Sequence, residues 1–216
     1  MTFGKNSSNG SLGLSTLFLI WLFLPGPAPM SVAQTPPQSE REEGSTGWSV
    51  EQLMESLAKS RQAEVRFEET AFSKQLTQPL KTQGILRFTP PTGLEKHITA
   101  PYDERYLVEG ESVLFESKTK GTTRTLSLHD YPALRAFIEA FRSTLANDVI
   151  TLRRFYSVTL QGEPGRWILV LRPRDKAVQE LVESIRFSGE SEQVSSIEIL
   201  APDGDRSVMV ITTGAP

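Results

Sequence analysis

Three observations predict an α+β, mainly β fold built as a curved antiparallel sheet with helices packed on one side. Short segments with apolar residues at every second position recur from residue 63 onward. Turns rich in Gly, Pro, Asn and Asp separate them, as in a meander rather than in βαβ units. The alternation breaks once for a long helical stripe, where Leu134, Phe137, Ile138, Phe141 and Leu145 fall on one face.

The first 33 residues read as an address. Lys5 is their only charge, Leu12–Leu24 is an apolar run of thirteen residues, and Ser31-Val32-Ala33 is a small-x-small cleavage signal before Gln34. As a helix the run reaches about 20 Å, short of the roughly 30 Å hydrocarbon core that a membrane anchor must cross. A secretory signal peptide over 1–33, cleaved after Ala33, is therefore expected. Residues 34–47 (QTPPQSEREEGSTG) are acidic, proline-rich and poor in large apolar groups, and read as a disordered leader. The folded domain is expected over 48–216.

In that domain Ser49 and Gln52 form a capping box. Val50, Leu53, Met54 and Leu57 continue it as an amphipathic helix to about Ser60. Alternation then predicts strands over Ala63–Phe72 and Leu80–Phe88. Shorter strands follow at Leu94–Ala100, Arg105–Glu109, Ser112–Ser117 and Thr122–Leu128, with Gly110 at a hairpin bend. Asp130 and Pro132 are placed to start the long helix, and Asn147-Asp148 to end it. Strands resume at Phe155–Gln161 and Arg166–Arg172, and a helical turn is expected near Ala177–Leu181. Ile185–Ser188, Val194–Leu200 and Ser207–Thr212 complete the set of strands.

Composition excludes several chemistries. The chain has no cysteine, so disulfides, thiolate metal sites, a cysteine nucleophile and a lipidated N-terminal cysteine are out. After removal of the address, 22 basic side chains face 26 acidic ones, a net charge of −4, and no nucleic-acid partner is expected. His97 and His129 have no carboxylate at metal-ligand spacing, and GxSxG, Walker and GxGxxG motifs are absent. Asp203-Gly204-Asp205 lacks the rest of a calcium loop and reads as a hairpin turn. Arg153-Arg154-Phe155-Tyr156 mixes basic and aromatic residues, but reads as the solvated start of a strand. No enzyme, no cofactor and no metal site are expected.

The run FTPPTGLEKHITAPYDERYLVEGESVLF (Phe88–Phe115) resembles the outer-membrane lipoprotein carrier family (LolA), in its divergent LolA-related branch. Phe67 with Thr70, the helix in SLHDYPALRAFIEAFRSTLANDVITLRRFYSVTL, and Trp167-x-Leu169-x-Leu171-x-Pro173 extend the resemblance over 48–212. It implies an incomplete antiparallel β-barrel, a half-barrel whose concave apolar face is covered by helices. It also implies a periplasmic monomer that shuttles acyl chains of lipoproteins or other lipids toward the outer membrane. Its partners would be an inner-membrane transporter and an outer-membrane receptor, with no catalysis. The alternative on the same fold is an envelope interaction or sensing module that carries no cargo.

Alternation and the helical stripe then name the side chains expected to touch acyl cargo: Val65, Phe67, Leu86, Phe88, Ile98, Leu107 and Leu114 on the sheet, Phe137, Ile138 and Phe141 on the lid, and Leu169 and Leu171 on the far strands. Two departures stand out. The family's arginine before the turn proline, which holds the lid by hydrogen bonds, is replaced by Pro90, which cannot donate. Lys96 stands where a tryptophan is common. A lid held by apolar contacts alone is the expected consequence.

Overall fold

The computed structural model describes residues 48–60, 63–90 and 92–212; the expected signal peptide and leader lie outside them. Helix α1 (Val50–Ser60) comes first, followed by β1 (Glu64–Phe72), β2 (Leu80–Thr89), β3 (Gly93–Ala100), β4 (Glu104–Glu109), β5 (Ser112–Ser117) and β6 (Thr122–Ser127). Two helices, α2 (Pro132–Ala146) and α3 (Val149–Phe155), lead to β7 (Tyr156–Glu163) and β8 (Arg166–Pro173). Helix α4 (Lys176–Gln179), β9 (Ser184–Glu190), β10 (Gln193–Leu200) and β11 (Arg206–Thr212) complete the order.

Among the described residues, the eleven strands form one antiparallel sheet in the order β6-β5-β4-β3-β2-β1-β11-β10-β9-β8-β7. Every neighbour but one is a sequence neighbour, as a meander requires. The exception joins the first strand to the last, with Phe67 opposite Ile211 and Glu69 opposite Met209. Strands β6 and β7 remain unpaired with each other, so the sheet is an open half-barrel, as the resemblance implies.

The capping box forms as expected: the Ser49 amide donates to Gln52 Oε1 at 2.9 Å, and the Gln52 amide to Ser49 Oγ at 3.3 Å. Val50, Leu53, Met54 and Leu57 are buried and join α2 and the sheet in one core. Ser49→Ala removes one cap acceptor and is expected to cost about 1 kcal/mol, measurable as a lower urea midpoint with an unchanged slope.

On the convex face, charges run across five strands: Glu64–Arg87 at 2.6 Å, Arg87–Glu95 at 3.0 Å, Arg105–Glu95 at 2.9 Å and Arg105–Glu116 at 3.3 Å. Opposite charges on neighbouring strands pin the register of β1 to β5. His97 also faces outward, 2.8 Å from Asp103, which suits an ordinary polar position. At the far end of the sheet, Trp167 is fully buried and donates to Ser191 O at 2.9 Å. It lies over Gly189, where a Cβ would come within 2.3 Å of the indole, so only glycine leaves room for the ring.

Three local expectations change, while Asn147 ends α2 as expected. Tyr131, not Asp130, is the N-cap of α2; it makes no side-chain cap bond, and Pro132 begins the helix. Asn147 closes α2 in the left-handed conformation (φ 61°). Asp148 does not merely end that helix: its carboxylate accepts from the Thr151 amide at 2.9 Å and starts α3. Arg153 and Arg154 therefore lie on a helix rather than at the start of a strand, and Arg153 pairs with Glu51 at 2.8 Å.

Candidate functional site

The chain leaves the sheet at one free edge, β6, and rejoins it at the other, β7. The connection through α2 and α3 must therefore pass across the concave face. The apolar stripe of α2 turns toward the sheet: Leu134, Ile138 and Phe141 are buried and Phe137 is half-buried. The Phe137 and Phe141 rings pack tilted with their centroids 4.9 Å apart, and Phe141 meets Phe187 edge-on at 5.4 Å. Under α2 lies a cavity of about 180 Å³. Its wall is chiefly aliphatic and aromatic, as pockets for apolar ligands are. A second, more open cleft of about 570 Å³ lies beside α1, but Gln52, Glu55, Lys59, Glu163 and Glu192 dominate its lining.

Of the residues expected to touch cargo, Leu86, Ile98, Phe137, Ile138 and Phe141 line the cavity. Val65, Phe67 and Phe88 share the concave face by register, Val65 opposite Leu86 and Phe67 opposite Gly84, but stand outside the lining. Leu107 and Leu114 face the other way. Ile98 pairs with Glu104, which puts Tyr106 and Val108 on the concave face, and across from them Phe115 and Val113. Leu107 instead sits opposite Glu95 in the convex charge network. Leu169 and Leu171 are fully enclosed in the core and do not reach the cavity. Tyr106, Val108, Val113, Leu94, Ile197 and Met209 also belong to the sheet side of the wall and lie outside the expected set.

Polar residues interrupt this wall around Glu69, and again at Ser73, Gln75 and Asp205 beside the β1–β2 loop and the β10–β11 turn. Glu69, buried on β1, receives Lys96 Nζ at 2.5 Å and Ser207 Oγ at 2.5 Å, with Thr82 Oγ1 at 3.4 Å. The Lys96 ammonium also lies 5.2 Å above the Phe67 ring. Burial pushes the Glu69 carboxyl up, but the charge of Lys96 and the hydrogen bonds from Lys96, Ser207 and Thr82 outweigh it and leave the group below its ordinary value. In the convex network, hydrogen bonds from Arg105 hold Glu95 low against the opposing effect of burial, with further help from Arg87.

These depressions set an acid limit on stability. A carboxyl whose folded pKa lies below its unfolded value contributes stability that is complete above the unfolded value and is lost as pH falls through the folded one. Resistance to urea is therefore expected to decline below the ordinary carboxyl value of 4.5. Glu95→Gln should flatten that decline, and a slope unchanged by the substitution would contradict the assignment.

The lid is not held by apolar contacts alone. Arg142, buried at the end of the stripe, donates from Nε to Thr92 O at 2.7 Å and from Nη2 to Gly110 O at 2.8 Å. Those carbonyls belong to the β2–β3 and β4–β5 turns, so the guanidinium ties α2 to the rim beside Pro90. Glu139, one turn back, balances the charge at 3.5 Å. A second tether runs from Tyr156 on β7, whose hydroxyl donates to Ala136 O at 2.6 Å. The bonding expected of a turn arginine is thus made from the helix, in the opposite direction.

The profile of the family described as outer membrane lipoprotein carrier protein LolA-like matches residues 44–216. The chain belongs to that LolA-like family. No curated protein matches it. Among solved structures this LolA-like chain is similar to a LolA superfamily protein from Nitrosomonas europaea, at 10% identity and TM-score 0.39 over 79% of this chain and 96% of that one. It is similar to the MucA/MucB complex of Pseudomonas aeruginosa at 12% identity and TM-score 0.40, over 77% of this chain and 57% of that one. For LprF from Mycobacterium bovis the values are 10% and 0.35, over 77% and 93%. Among the described residues of the LolA-like chain no helix is long and apolar enough to cross a membrane.

Proposed function

We propose that this protein is a periplasmic, non-enzymatic carrier that takes an acyl chain of a lipoprotein or another lipid into the cavity under α2. It releases that chain toward the outer membrane, receiving cargo from an inner-membrane transporter and passing it to an outer-membrane receptor. The observation that carries this reading is the apolar cavity closed by a helix that is tied down at only a few points. Each methylene taken from water contributes about 0.8 kcal/mol, so a long acyl chain would bind too tightly to be handed on unless opening the lid opposed it. The tethers from Arg142 and Tyr156 give the lid a defined closed state whose opening can be coupled to transfer. The export signal read in residues 1–33 and the membership of residues 44–216 in a carrier family support the same compartment and role. The test is to purify the mature protein from its native host and extract it for lipid mass spectrometry. A bound acyl species, and uptake of a pyrene-labelled monoacylglycerol by the emptied protein, are expected. Protein that carries no acyl species and takes none up overturns the proposal.

A further inference from the structure

We propose that Lys96 and Glu69 form a polar subsite inside the cavity that selects acyl groups carrying a neutral carbonyl, as an ester or amide, over free fatty acids. The inference rests on the carrier reading above and specifies its cargo. The cavity has two unlike ends. At one, Arg142 seals α2 to the β2–β3 and β4–β5 turns, and Leu134, Ile138, Val108 and Val113 close the space beneath. At the other, between the β1–β2 loop and the β10–β11 turn, exposed Gln75 and half-buried Leu76 and Leu80 bring the lining to solvent. Lys96 lies midway along β3 between these ends, where the head of a chain buried tail-first comes to rest.

Hydrogen-bond accounting fixes what that head must offer. Glu69 Oε1 is taken by Ser207, and Oε2 by Lys96 and Thr82. The Lys96 ammonium has three donors, and Glu69 is its one hydrogen-bond partner among the described residues. Three of the roughly four acceptor positions of the carboxylate are occupied, against one of the three ammonium donors. Most of the spare capacity is therefore donor capacity on Lys96, directed at an acceptor in the cargo. Charge then separates the acceptors. Glu69 already neutralises Lys96, and Asp205 adds a further carboxylate to the same wall. Glu104, on the same face of β4 as Tyr106 but outside the lining, is balanced by Lys120. The lining is thus net negative, which repels a carboxylate but not an ester or amide carbonyl.

Calorimetry on the delipidated mature protein near pH 8 tests this with three ligands of equal chain length: monodecanoylglycerol, N-decanoylethanolamine and decanoate. The first two should each bind about tenfold tighter than decanoate, and their ratio distinguishes ester from amide cargo. Glu69→Gln leaves Lys96 without its counter-charge and should reverse the preference toward decanoate. The double variant Glu69→Gln/Lys96→Met strands no buried charge and should bind all three equally. Equal binding of the three by the unmodified protein, or a preference unmoved in both variants, overturns the subsite and leaves the carrier reading standing. Binding of none of them overturns the carrier reading and this inference with it.

Discussion

Arg142→Met is expected to free the lid. The substitution keeps an unbranched apolar stem in the stripe but deletes two charge-assisted hydrogen bonds, to Thr92 O and Gly110 O. Hydrogen bonds from a charged donor contribute about 1.5–3 kcal/mol each. Part of that loss is recovered as water reaches the turn carbonyls, so about 3 kcal/mol is expected for the pair. The closed-to-open ratio then falls roughly a hundredfold. Amide exchange over residues 134–145 should accelerate by that factor while exchange in β8 and β9 stays unchanged. Arg142→Lys should fall between, because a single ammonium is a compact point charge and cannot fork to two turns as a planar guanidinium does. Salt should change little, since both acceptors are neutral carbonyls and the guanidinium is buried away from counter-ions. Exchange in the Met variant equal to that of the unmodified protein would mean that packing alone holds α2.

Much of this device could be read from the chain, and what could not be has a physical cause. The position of Arg142 four residues beyond Ile138 puts it on the buried face of α2, so its burial follows from helical spacing. Its acceptors lie 50 and 32 residues away on two separate turns, and no local pattern encodes that meeting. Glu69 follows Val65 and Phe67 at every second residue, and parity alone turns it inward. Its partner Ser207 comes from the last strand, brought close only by the non-local β1–β11 pairing.

The reversed faces of Leu107 and Leu114 have another origin. In Tyr106-Leu107-Val108 and Val113-Leu114-Phe115 both faces are apolar, so alternation is degenerate and the register of β3 decides. Helix α3 was hidden because seven residues span two turns, too few for a 3.6-residue period to stand out from Val149, Ile150, Leu152 and Phe155. The elements with clear ends were the legible ones: α1 behind its capping box, and β5 between Gly110 and the turn before β6.

The sharpest separation of cavity wall from core comes from placing the same charge at two buried positions. Leu171→Asp should abolish folding. Leu171 is fully enclosed among core side chains on β8, and an aspartate there has neither water nor a cation. Its cost of several kcal/mol, added to the lost leucine packing, approaches the 5–15 kcal/mol total stability of an ordinary domain. Phe141→Asp is expected to fold. Phe141 is only slightly more exposed, at 9%, yet it borders a space of about 180 Å³ that has room for the several waters a carboxylate needs. It should lower the melting temperature through loss of the contacts with Phe137 and Phe187. It should also remove uptake of labelled monoacylglycerol, because the hydrated charge then occupies the acyl path. Circular dichroism with thermal melting reads the first effect and fluorescence uptake the second. A Phe141→Asp protein that melts cooperatively and still takes up the acyl probe at the unmodified level would show that cargo does not lie against α2, and the cavity would lose its assignment as the carrier site.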